Sequence, residues 1–161
     1  DQERFWPVER MVAEFARHLM LFYTGSTRFS STISAQTIAV IESGEKDDDL
    51  HELAAMAHIG LEILTSGGDI AQFGLLLARA WAIKRRMSPL VTNAAVDEMY
   101  EKALAAGALG GKLLGAGGGG FMMLFVKPAE QARVRAALSG YLEIPFAFEF
   151  SGTQTIFVND R

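Results

Sequence analysis

Lys112-Leu-Leu-Gly-Ala-Gly-Gly-Gly-Gly-Phe-Met-Met-Leu-Phe-Val126 is the stretch on which the fold of this chain turns. Five of the six positions from 115 to 120 are glycine, and apolar runs flank them on both sides. Glycine reaches positive φ without a Cβ penalty, so such a loop lets backbone N–H groups approach a ligand closely. Successive N–H groups in such a turn form a concavity suited to phosphate oxygens. Ordering so many glycines also costs chain entropy, and the run needs a reason. A tight hairpin turn is the plain alternative, but it needs fewer glycines than stand here. Phosphate or nucleotide contact through Gly115, Ala116, Gly117, Gly118, Gly119 and Gly120 is the reading with more support.

Gly115-x-Gly117-x-x-Gly120 also satisfies the dinucleotide fingerprint, which has to open a helix so that pyrophosphate meets its N-terminus. Phe121 to Val126 instead reads as a strand of aromatic and aliphatic residues, followed by Lys127-Pro128. No Lys-Ser or Lys-Thr follows the glycines, so the P-loop pattern fails as well.

Outward from the loop, Leu109 to Ala116 and Phe121 to Val126 read as its two strands. Pro128 suits the first turn of a helix running to about Ser139. Ile144 to Phe150 and Thr153 to Val158 are β-rich, with Gly152 at the turn between them. Upstream, a short helix over 9–17 precedes the apolar strand Leu19 to Tyr23, which ends at Thr24-Gly25. Further helices are expected over 26–43, 49–65, 70–86 and 94–106. Ile33, Ile38 and Ile41 are the inward candidates of the first. Leu50, Leu53, Ala54, Ala57, Leu61 and Leu64 keep a 3.6-residue stripe in the second. Phe73, Leu77, Ala80 and Trp81 share a face of the third; Val96, Met99, Tyr100, Ala103 and Leu104 point inward from the fourth. Asp47, Asp48 and Asp49 favour the positive end of a helix dipole. Asp69 can cap, while Gly44, Ser66-Gly-Gly68 and Gly107 supply stops. Helix, strand, strand, helix, strand fits an α+β class: a ferredoxin-like core with additional helices, as one domain over 1–161.

Composition agrees with that size. The chain has 161 residues, half of them hydrophobic and 21% charged, which is globular and not disordered. A net charge of −4 argues against nonspecific nucleic-acid binding, whose usual footprint is basic. With no cysteine, disulfides and thiolate metal sites are excluded. No basic-then-apolar N-terminal pattern marks a signal peptide. The longest nonpolar run, Leu113 to Val126, falls short of the ~20 residues a membrane-spanning helix needs, so no membrane partner is expected.

Single residues have plainer accounts beside functional ones. Lys84, Arg85 and Arg86 end a helix, where cations are favourable anyway. Lys112 in a strand either snorkels to solvent or meets a ligand. Arg28 follows a strand and the Thr24-Gly-Ser-Thr27 turn; a guanidinium there suits phosphate bidentately, or is simply solvated or paired with a helix. The three adjacent aspartates diverge at a helix start, so no metal site is assigned to them. His51 and His58 are too far apart for the i, i+4 pair of a zinc site, and His18 stands alone.

Ala108-Leu-Gly-Gly-Lys112, followed by Leu113-Leu-Gly-Ala-Gly-Gly-Gly-Gly120, resembles the third conserved motif of the GHMP sugar and isoprenoid kinases. Three further stretches are similar to the D-glycero-D-manno-heptose 7-phosphate kinases within that family. They are Leu21-Phe-Tyr-Thr-Gly25 with Arg28, Trp81-Ala-Ile-Lys-Arg85 leading to Ser88, and Pro145-Phe-Ala-Phe-Glu149 with Ser151-Gly152. The resemblance runs from about Trp6 to Val158. It implies the C-terminal half of a kinase that moves the γ-phosphoryl of ATP, with Mg2+, to a sugar hydroxyl, most simply the anomeric one of a heptose phosphate. The glycine loop would lie near the transferred phosphate, shaping and stabilising its charge. Thr24, Arg28, Ser88 and Lys112 would be substrate-side or interdomain contacts. The family's main ATP loop and its catalytic carboxylate belong to an N-terminal half that nothing in residues 1–161 matches, so no catalytic residue is assigned here. That half and a sugar phosphate are the implied partners, with self-association through the uncovered surface and a cytoplasmic location also expected. The rival from another class is a noncatalytic regulatory or scaffold domain that keeps the same fold.

Overall fold

A computed structural model of the chain describes residues 8–25, 30–115 and 117–152. Helix α1 (Val8–Arg17) leads into strand β1 (Leu19–Tyr23), and four helices follow: α2 (Ser30–Glu42), α3 (Asp47–Thr65), α4 (Ala71–Met87) and α5 (Ala94–Ala105). Strands β2 (Ala108–Leu113) and β3 (Phe121–Val126) form a hairpin around the glycine loop. A 3-10 turn (Pro128–Glu130), helix α6 (Gln131–Ala137) and a short strand β4 (Leu142–Glu143) complete the order.

The strands lie side by side as β2-β3-β1-β4, all antiparallel. With β1, a helical crossover, β2, β3, α6 and β4 in chain order, this is the split βαβ arrangement of a ferredoxin-like core. Helices α2 to α5 all fall within the first crossover, which accounts for the additional helices.

Strand pleating decides where the core sits, because alternate side chains take opposite faces. Met122, Leu124 and Val126 of β3 join Met20 and Phe22 of β1 in one buried cluster, closed by Val96, Met99, Tyr100 and Ala103 of α5 and by Val134 and Leu138 near α6. Phe125 takes the other face. There Phe73 lies 6.0 Å away, Phe15 5.9 Å and the His18 ring 5.1 Å, centre to centre. Helix α4 crosses β2 so closely that a Cβ on Gly110 would sit 2.1 Å from the Gly74 carbonyl oxygen. Glycine is required there by approach, not by turning.

Several sequence expectations need correction. Ile33 is buried, but Ile38 and Ile41 are 54% and 43% exposed. The apolar stripe of α3 does not all reach the core, and Leu61 is 61% exposed. Met56 and Gly60 are the buried positions of this helix, and the stripe faces an open groove against Phe73, Leu76 and Leu77 of α4. The strand expected over Ile144 to Phe150 is not formed; pairing stops at Leu142–Glu143, apart from Ile144 N–H donating to the Leu21 carbonyl at 2.8 Å. Pro145 has no N–H to continue the ladder. Residues 153–158, read as the next strand, lie outside the described residues. Helix α5 keeps its expected inward face, and Asp69 accepts from Ala71 N–H at 2.9 Å ahead of α4.

Candidate functional site

The glycine loop is positioned from two sides. On one side stands Thr24, buried just past the end of β1. Its N–H donates to the Gly120 carbonyl at 2.9 Å; its hydroxyl donates to the same carbonyl and accepts from Gly120 N–H, both at 3.0 Å. Register explains the meeting: Tyr23 pairs with Phe121, so the next residue along faces the loop.

On the other side lies the segment between α4 and α5. Gly118 N–H donates to the Val91 carbonyl at 2.9 Å, and the Asn93 side-chain amide donates to the Gly118 carbonyl at 2.8 Å. Asn93 is also the N-cap of α5, its Oδ1 accepting from Ala95 and Val96 N–H at 3.1 Å. One side chain thus ties the loop to a helix start. Gly117 runs against Val91 at φ +115, where a Cβ would lie 2.7 Å from the Val91 carbonyl oxygen. Leu114 N–H donates to Phe121 O at 2.8 Å and closes the hairpin below the loop.

These contacts divide the glycines. The amides of Gly118 and Gly120 are satisfied within the protein. Those of Gly115 and Gly119 have no acceptor among the described residues, and both residues reach solvent at least in part. A loop with some amides locked and others presented is an ordered turn that can still offer donors to an oxyanion.

The remaining sequence candidates separate. Ser88 is 1% exposed, and its hydroxyl donates to Gln36 Oε1 at 2.7 Å, joining α2 to the end of α4. Lys112, on β2, borders a cleft that also holds Lys84. Burial lowers the pKa of Lys84 below its ordinary range, and the neighbouring Lys112 charge lowers it further. Ala116 and Arg28 lie outside the described residues. His18 is buried, with Nδ1 2.8 Å from the Glu14 carbonyl oxygen. Asp49 pairs with Arg86 at 2.6 Å. Among the described residues no helix is long and apolar enough to cross a membrane, and no cluster of His, Asp and Glu could hold a metal ion.

Val91 and Asn93 escaped the sequence reading. Asn93 ahead of Ala94-Ala95-Val96 carries an N-cap signal, which would have found its helix role. Its bond to the loop spans 25 positions of chain and leaves no local trace.

A family model described as GHMP kinases C terminal matches residues 49–144. The chain is 26% identical over 148 residues to D-glycero-alpha-D-manno-heptose 7-phosphate kinase of Campylobacter jejuni, covering 90% of this chain and 43% of that protein. It therefore spans less than half the length of that relative. In fold it is similar to L. major mevalonate kinase solved in complex with R-mevalonate, with a TM-score of 0.68 at 17% identity, over 76% of this chain and 37% of that one. A D-glycero-D-manno-heptose 1-phosphate kinase from Bacteroides thetaiotaomicron gives a TM-score of 0.56 at 22% identity, over 85% of this chain and 34% of that one.

Proposed function

Since the chain belongs to the GHMP kinase C-terminal domain family, we propose that it forms the C-terminal half of an ATP-dependent sugar kinase acting on a heptose phosphate at its anomeric hydroxyl. The observation that carries this reading is the loop of residues 115–120. It is fixed by Thr24 at one end and by Val91 and Asn93 at the other, while the amides of Gly115 and Gly119 stay uncommitted among the described residues. Phosphoryl transfer relies mainly on positioning and on electrostatic stabilisation of the moving group, and fixed backbone donors supply both without reorganising.

Bound ATP with Mg2+ would supply the transferred phosphoryl group. Gly115 and Gly119 would present their N–H groups to phosphate oxygens. Thr24, Val91 and Asn93 would hold the loop in place and touch no substrate. The main ATP loop and the catalytic base would come from sequence outside residues 1–161. Location in the cytoplasm follows from the need for ATP.

The test is a coupled ATP-turnover assay on the full-length product of the parent gene, with D-glycero-D-manno-heptose 7-phosphate as acceptor. Turnover that requires the sugar phosphate, with the product carrying a new anomeric phosphate, is the expected result. A folded full-length protein that phosphorylates no sugar would overturn the reading.

A further inference from the structure

Helix α4 ends in three consecutive cations, and the structure treats them differently. Arg85 meets Asp97 at 3.2 Å; Arg86 meets Asp49 at 2.6 Å and Glu52 at 3.5 Å. Lys84 has no acidic partner among the described residues. It borders a cleft of about 350 Å³ together with Lys112 of β2, which has none either. Thr37 and Ile41 of α2, Leu50 of α3 and Trp81 of α4 form much of the remaining wall, which is mostly apolar. Trp81 is 1% exposed, and its indole N–H is buried without an acceptor among the described residues.

Two ammonium groups bordering one partly apolar cleft repel each other, burial costs Lys84 part of its hydration, and no carboxylate among the described residues offsets this. Burial first, and then the Lys112 charge, push the Lys84 pKa down. A cleft bordered by donors and lacking carboxylates repels metal ions and suits an acceptor-only group. Its position narrows the choice. Val91 lines the cleft and also receives the Gly118 N–H, and Lys112 lies at the end of β2 that feeds the loop. The volume lies at the lower end of the ~300–1,000 Å³ usual for small-ligand sites.

We propose that Lys84 and Lys112 together bind the phosphate of a phosphomonoester in the cleft between α2, α4 and β2, beside the glycine loop. The site itself stands on this geometry. Its assignment to the phosphate already carried by the sugar substrate rests on the function proposed above. Each ammonium would donate to phosphate oxygens, and the anion would remove the repulsion between them.

The experiment titrates this chain with inorganic phosphate at constant ionic strength, followed by calorimetry and by melting temperature. Saturable binding is expected, with Lys84→Met and Lys112→Met each weakening it about tenfold or more, as loss of a charge-assisted hydrogen bond does. Lys84→Arg and Lys112→Arg keep the charge and should retain most of the binding, which separates lost recognition from lost folding. Absence of saturable binding, or an affinity left unchanged by Lys84→Met and by Lys112→Met, would overturn the site. Competition then assigns the source. Displacement by D-glycero-D-manno-heptose 7-phosphate, but not by ATP, supports the acceptor phosphate; displacement by ATP alone overturns that assignment. Phosphate binding that depends on both lysines, in a protein whose full-length form phosphorylates no sugar, would uphold the site and refute the kinase reading separately.

Discussion

Replacing Gly117 by alanine should cost about twice the stability that replacing Gly115 does, although the two glycines are near neighbours in one loop. Both have positive φ, +115 and +82. An L-residue held in a sparsely populated backbone region costs ~1–3 kcal/mol. Gly115→Ala adds nothing to this, because a Cβ there meets no atom within 4 Å among the described residues beyond its chain neighbours. Gly117→Ala also drives a methyl to 2.7 Å from the Val91 carbonyl oxygen and 2.8 Å from its Cα. Those are backbone atoms, which cannot step aside as a side-chain end can, and overpacking of this kind costs a further ~1–3 kcal/mol. The same push threatens the Gly118 N–H bond to Val91 O. The sum, ~2–6 kcal/mol, is a large fraction of the ~5–15 kcal/mol that holds a domain together. At ~2–4 °C per kcal/mol for a domain of this size, Gly117→Ala should lower the melting temperature by roughly 5–20 °C, and Gly115→Ala by about half as much. Thermal melts of both variants by circular dichroism decide it. Equal melting temperatures would mean that the contact of the loop with Val91 is not what requires glycine at 117.

Three further outcomes are expected. Thr24→Val keeps the shape but removes the hydroxyl that both donates to and accepts from Gly120; it should lose ~1–3 kcal/mol, while Thr24→Ser loses less, as denaturant unfolding can measure. Lys84 has a folded pKa below its unfolded value near 10.5, so the unfolded chain binds more protons in the window just below that value and stability should rise with pH there. Buried Tyr100 acts with the opposite sign from about its ordinary value of 10.0 upward; Lys84→Met should remove only the rise, and superimposable pH–stability curves for the two proteins would contradict it. Finally, residues 1–161 alone should show no kinase activity, because transfer needs both a positioned donor and a base. ATP turnover by this chain with a heptose phosphate, lost on Gly117→Ala without unfolding, would refute that.

Where the sequence was legible, one local signal and one tertiary demand agreed. In α5 the 3.6-residue stripe of Val96, Met99, Tyr100 and Ala103 faces a single sheet, so periodicity and burial coincide. In α3 the stripe was equally plain, yet Leu61 is mostly exposed because this helix packs on α4 and not on the sheet. Periodicity says that a face is apolar; it does not say what covers it. The ferredoxin-like order was readable because the helices between β1 and β2 leave strand succession intact. The end of β4 was not, since β-forming Phe146, Phe148 and Phe150 look like a strand while Pro145 withholds the donor that pairing needs.

The glycines show why a motif names a family more readily than it names contacts. A run read as six phosphate ligands resolves into positions with different physical requirements. Gly117 is glycine because Val91 leaves no room, and Gly110, in the same stretch, because α4 leaves none. Gly118 and Gly120 direct their amides inward to Val91 and Thr24. A valine at 118 would therefore strain a φ of +73 and disturb an internal hydrogen bond before it blocked any ligand, so its effect on stability should accompany, and not trail, its effect on activity. For the proposed phosphate contacts this leaves the amides of Gly115 and Gly119, which have no acceptor among the described residues, and two lysines in the adjoining cleft that have no counter-charge among them either. Locked positions make the free ones useful, because a donor held still by its neighbours loses no freedom when an oxyanion arrives.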